Sequence, residues 1–84
     1  MKLKNMHMGV YTLQRTLFEG DIKQLTATTT VGEVTILNQH IPLVSVLTGP
    51  MVRLIDTLDK ESIIKITSGF LEVREEGEVI ILAE

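Results

Sequence analysis

Met6, Met8 and Val10 alternate with His7, Gly9 and Tyr11, the two-residue period of a strand with one face buried. Similar runs recur along the chain. Residues 16–19 predict a short strand stopped by Gly20, and Ile22 and Leu25 lead into a run dominated by Thr26, Thr28, Thr29 and Thr30. Threonine is β-branched and stiff at χ1, which suits a strand surface better than a helix. Residues 33–37 and 43–47 form two further apolar arms, followed by turn punctuation at Thr48, Gly49 and Pro50 and a strand over residues 51–56. Residues 58–61 read as a loop into a strand over 62–67. Residues 70–74 and 78–82 read as a last hairpin, with Gly77 available for a positive φ.

The nearest approach to a helix is residues 60–65, but Ile63, Ile64 and Ile66 make it too β-branched. The pattern therefore predicts an all-β chain of eight to ten short strands, an antiparallel β-sandwich or flattened barrel with no substantial helix. Residues 6–84 are read as one domain, preceded by a short extension over residues 1–5. No internal repeat, low-complexity segment or linker interrupts it.

Composition narrows the function. The 84 residues carry a formal charge of -3 and no basic run, which argues against phosphate neutralisation and hence nucleic acid. Cysteine is absent, so disulfides and thiolate metal sites are excluded. Apolar runs are too short for a membrane-spanning helix, and no apolar signal core follows Met1; the chain is expected on the cytoplasmic side. Apolar residues make up 44% of the chain although it has no Trp, one Tyr and two Phe. A domain of this size buries only about 60% of its unfolded surface. Much of the Ile, Leu, Val and Met must then lie near the surface, which points to a docking face.

Chemistry is sparse. His7 and His40 are 33 positions apart with no local pair, too few for a metal site of three or four ligands. His7 alternates with the methionines of its strand and reads as a surface or edge position. Ser45, Ser62 and Ser68 lie in no nucleophile-elbow pattern. Glu75 and Glu76 beside Gly77 read as a solvated turn, and no phosphate-binding glycine loop exists. The expectation is a protein that is not an enzyme and needs no cofactor.

Three stretches together resemble a known family. VGEVTILNQHIPLVSVLTG (residues 31–49) is close to E-G-E-x-x-I-L-x-x-H-x-P-L-x-x-x-L-x-x-G. TLFEGDIKQLTA fits an L-F-E-G-E-V-x-S-V-T-L hairpin, and TSGFLEV followed by VIILAE resembles S-G-G-F-L-E-V and V-T-I-L-A-D. In this order and spacing they resemble the N-terminal β-sandwich of the epsilon subunit of F-type ATP synthases, from about Met6 to Glu84.

The resemblance implies a flattened sandwich of about ten strands at the foot of the rotating central stalk. One side would grip the gamma subunit and one end would rest on the polar loops of the membrane c-ring. The catalytic head would be reached only through gamma. It implies a rotor subunit, peripheral to the cytoplasmic face of the cell membrane, that couples proton or sodium flow to ATP synthesis and performs no chemistry itself. A standard interface takes about 800 Å² per partner, against roughly 5,000 Å² for a folded chain of this mass, which would account for the apolar excess.

Carried over by position, Val31, Gly32, Glu33 and His40 correspond to the ring-facing surface, and His40, Pro42 and Leu43 to the gamma-facing one. Glu33 would offer charge to basic ring loops, Pro42 would stiffen the chain after the turn, and His40 would hydrogen-bond within its own loop. The chain departs from the pattern at Thr28, Thr29 and Thr30, where the family has Pro-Gly, and at Thr35, where it has a second glycine. Gly49-Pro50 inverts a Pro-Gly, and Thr67-Ser68-Gly69 replaces S-G-G. These changes bear on loop conformation; the Thr35 change predicts a more regular strand. Most members continue into two C-terminal helices that inhibit ATP hydrolysis and in some bind ATP. This sequence stops at Glu84, so the expectation is a coupling subunit without helix-mediated inhibition. The alternative reading is a small β-sandwich module that binds a peptide or glycan.

Overall fold

The alternating segments do become strands in a computed structural model, which describes residues 5–38 and 42–84. Seven strands follow in chain order: β1 (Met6–Tyr11), β2 (Thr16–Thr29), β3 (Gly32–Leu37), β4 (Leu43–Asp56), β5 (Glu61–Lys65), β6 (Gly69–Val73) and β7 (Glu78–Ala83). A single 3₁₀ turn, Glu75–Gly77, joins β6 to β7, with Glu76 and Gly77 both at positive φ as the sequence allows for Gly77.

The strands are fewer and longer than the local punctuation suggests. Gly20 does not end a strand: it pairs with Met8 inside β2, which runs unbroken for 14 residues. Nor do Gly49 and Pro50 end one, because β4 continues through them for 14 residues as well. Gly49 instead bends β4 by taking φ +72°. There a Cβ would sit 2.7 Å from the Ile66 carbonyl oxygen and 2.8 Å from that of Thr67, so only glycine fits. Pro50 has no N–H to give the ladder, but its carbonyl accepts from Ile66 N at 2.9 Å.

Because β2 and β4 are long and bent, each serves two layers. The first halves of both join β1, β7 and β6 in the first layer, in the order β2-β1-β7-β6-β4. Their second halves pair with one another between β3 and β5 to make the second layer. All pairings are antiparallel except β1 with β7, which is parallel. A parallel pair needs a long connection, and here the connection is nearly the whole chain.

The core lies between the layers. Met8, Val10, Ile22, Leu25, Ile36 and Ile81 are fully buried, drawn from β1, β2, β3 and β7, with Leu54 of β4 and Leu71 of β6 beside them. These are the inward positions of each strand's two-residue period. Burying such aliphatic side chains contributes about 1.5–3 kcal/mol each. No buried side-chain nitrogen or oxygen among the described residues lacks a hydrogen-bond partner.

Candidate docking surface

Val31 stands at the tip of the turn between β2 and β3 and is 93% exposed. Thr29 builds that turn. Its hydroxyl donates to the Gly32 carbonyl at 2.8 Å and accepts from the Val31 N–H at 3.1 Å, doing locally what a Pro-Gly pair does by backbone preference. Gly32 takes φ +124°, with open space where a Cβ would go, so conformation and not room calls for glycine. The Thr30 N–H donates to the Val46 carbonyl at 3.3 Å, tying the turn to the outer edge of β4. Beyond the turn, β3 pairs with β2 without a register shift from Gly32 to Leu37, and Thr35 meets Thr26 hydroxyl to hydroxyl at 3.2 Å.

Glu33 does not stand free at this tip. It lies opposite Thr28 on the outside of the second layer, and Arg53 Nη2 approaches its Oε2 at 3.4 Å with both side chains partly exposed. The carboxylate is therefore shared with an arginine that is 20 residues away in sequence. His40 lies outside the described residues. Pro42 is exposed, whereas Leu43 is half-buried, packs against the core and pairs with Val73. Leu43 is thus first a packing residue. It sits on the same strand as Val46, about 10 Å away at the usual rise per residue, so the Thr30–Val46 hydrogen bond links the turn to the strand that carries Leu43.

The sequence reading missed the largest feature, the outer face of that layer. Val46 pairs with Phe70, Phe70 with Leu82 and Leu82 with Tyr11, so one row crosses β4, β6, β7 and β1. Phe70 is 58% exposed and Leu82 56%, with Val44 and Val46 also exposed beside them. The Tyr11 ring folds back over Gly9, where any Cβ would collide with it. Exposed aliphatics do occur singly on any protein, but a contiguous row across four strands marks a contact surface. The signal available in sequence was that Val44 and Val46 on β4, Phe70 on β6 and Ile80 and Leu82 on β7 are apolar at outward positions of their strands. The outer face of the second layer, with Thr28, Thr35, Glu33 and Arg53, is mainly polar.

The other end of the apolar row's own face is charged. His7 Nδ1 lies 3.0 Å from Asp21 and its Nε2 3.4 Å from Glu19, both on β2. Those hydrogen bonds, Asp21 first and Glu19 second, raise the imidazole's pKa above its ordinary value. Arg74 pairs with Glu72 at 3.2 Å and Glu78 at 3.7 Å. His7 is a surface position, as one of the two readings has it, and not an edge, since β1 lies between β2 and β7. Among the described residues no group of three His, Asp or Glu side chains is placed to hold a metal ion, and no helix is long and apolar enough to cross a membrane.

Residues 5–84 match the family described as ATP synthase, Delta/Epsilon chain, beta-sandwich domain. The ATP synthase epsilon chain of Caldanaerobacter subterraneus subsp. tengcongensis is 38% identical over 80 residues, covering 93% of this chain and 56% of that protein. That of Mycobacterium tuberculosis (strain H37Rv) is 41% identical over 83 residues, covering 98% and 68%. The chain therefore spans about half to two thirds of the curated relatives it matches. Two solved structures share the fold. A chain of the Euglena gracilis mitochondrial ATP synthase, in an OSCP/F1/c-ring structure, superposes with a TM-score of 0.88 at 20% identity, covering 99% of this chain and 52% of that one. A chain of the Tetrahymena thermophila mitochondrial ATP synthase central stalk/c-ring structure does so with a TM-score of 0.77 at 16% identity, covering 99% and 66%.

Proposed function

Since the chain belongs to the ATP synthase delta/epsilon family through its beta-sandwich domain, we propose that it is a non-catalytic rotor subunit joining the gamma subunit to the c-ring. In that role it supports the coupling of proton or sodium flow to ATP synthesis from the cytoplasmic face of the membrane, where it is peripheral. The observation that carries the reading is the exposed row Val46, Phe70, Leu82 and Tyr11 on one outer face. A joint that transmits torque without a covalent link needs an apolar area large enough to stay closed. Of the chain's 5642 Å² of surface, a standard footprint of about 800 Å² is roughly a seventh.

In this arrangement gamma covers the apolar row. The turn carrying Val31 and Gly32, with Glu33 at the start of β3, meets the polar loops of the ring, and His40 is assigned by the family resemblance to both partners. Pro42 and Leu43 stand between the two contacts at the start of β4. Val31 supplies an apolar tip at the ring, and Glu33, held by Arg53, sets register more than affinity. The localisation follows from the assembly, since the chain needs no membrane span of its own to stay at the ring.

The test is binding of this chain to purified gamma subunit, followed by ATP-driven ion pumping in membranes reconstituted with the complex. Wild type binds with one-to-one stoichiometry, Phe70→Asp loses binding, and Glu33→Lys keeps gamma binding but lowers pumping. A folded wild-type chain that does not bind gamma defeats the proposal. Leu43→Asp is a poor probe because that side chain packs against the core.

A further inference from the structure

The outer face of the first layer is polarised along its strands. At one end lie Val46, Phe70, Leu82 and Tyr11. At the other, in register across three strands, lie Asp21, His7 and Glu78. Glu78 and Leu82 stand four positions apart on β7, about 13 Å at the rise of a strand. The intervening row includes Glu19 opposite Gly9 and Glu72 opposite Ile80.

Among the described residues the charges at that end are unevenly matched. Arg74 serves both Glu72 and Glu78. Lys23, the next cation along β2, is held by Asp59 at 2.7 Å. Glu19 and Asp21 are left with His7, which bonds both, and all three side chains are 47–61% exposed. An apolar row by itself gives adhesion without direction, because burial of apolar surface is non-directional. A like-signed pair of carboxylates one strand-length away breaks that ambiguity.

Resting on the rotor reading above, we infer that this face takes a gamma surface that is apolar at one end and carries lysine or arginine side chains about 7 to 13 Å away along the strand direction, opposite Glu19 and Asp21 in turn. Those cations meet Glu19 and Asp21, so the acidic end sets the sense in which the sandwich docks. A partner reversed end to end would bring its basic groups against Phe70 and Leu82 and leave two carboxylates facing apolar surface.

The experiment measures association and dissociation rates with purified gamma subunit from about 50 to about 300 mM salt, a range over which the screening length falls from about 14 to about 6 Å and long-range steering is progressively lost. Wild type is compared with Glu19→Gln/Asp21→Asn, with Glu19→Lys/Asp21→Lys, and with Glu61→Gln on the opposite layer. Thermal midpoints verify that each variant is folded. The neutralised pair associates roughly tenfold more slowly at low salt with a flattened salt dependence, the reversed pair more slowly still, and Glu61→Gln like wild type. If wild type binds and Phe70→Asp abolishes binding, yet the neutralised pair keeps the wild-type rate and salt slope, the inference falls while the rotor reading stands. Failure of wild type to bind defeats both. A concentration-dependent dimer of this chain that Phe70→Asp dissolves, without gamma binding, would give the face to a second copy and overturn the inference.

Discussion

Truncating Phe70 to alanine separates docking from folding, because the side chain is 58% exposed on the outer face of β6. An aromatic side chain of about 200 Å² exposed to that extent offers roughly 115 Å² to a partner, worth ~3 kcal/mol at about 25 cal/mol per Å². Alanine keeps the Cβ, which leaves about 2 kcal/mol, or roughly a 30-fold rise in Kd for gamma. Folding should change little. The lost cross-strand contacts with Val46 and Leu82 are each worth about 0.2–1 kcal/mol. Isothermal titration calorimetry against gamma gives the Kd, and the heat-capacity change of binding should become less negative as less apolar surface is buried. Ile63→Ala is the matched control, since Ile63 is 55% exposed but faces outward from the second layer. It should leave Kd unchanged. If Phe70→Ala binds within about threefold of wild type, or if Ile63→Ala weakens binding equally, the apolar face is not the gamma side.

Gly49→Ala should cost about 3 kcal/mol in urea unfolding, combining left-handed backbone strain with a Cβ forced against two carbonyl oxygens; a loss below about 1 kcal/mol would remove the argument that glycine bends β4. Asp56 accepts N–H groups of Lys60 at 2.9 Å and Leu58 at 2.8 Å, which hold its carboxyl below the usual range. The stability it contributes is present above the unfolded aspartate value of about 3.9 and is lost as pH falls through the folded one. Asp56→Asn should therefore lower the thermal midpoint at neutral pH and narrow the gap to wild type in acid, and an equal gap at both pH values would count against it. His7 runs the other way: its raised pKa gives stability that is full below about 6.5 and disappears as pH climbs through the folded value. A His7→Gln chain should fall behind wild type in midpoint at pH near 6 and match it more closely in alkali; a pH-independent difference would show that the ion contacts to Asp21 and Glu19 contribute nothing.

Most of the core was legible before any coordinates. The alternation at Met6, Met8 and Val10, or at Leu71 and Val73, is a local property, because successive Cβ atoms on a strand point to opposite faces. The positive φ at Gly77 was equally local. The all-β class followed from such signals, and the family resemblance from three motifs in order. Continuity was not local. Gly20 and Gly49-Pro50 look like stops, yet they are passed over because pairing with Met8 on one side and with β5 and β6 on the other keeps β2 and β4 extended. The candidate site divided in the same way. Val31, Gly32 and Glu33 could be picked out through the family resemblance, but Arg53 beside Glu33 and the row of Val46, Phe70, Leu82 and Tyr11 come from strands distant in sequence. Sequence decides which side chains face outward from each strand. Only the pairing of four strands in a particular register decides that those outward side chains become one surface, because register depends on contacts the chain makes across its whole length.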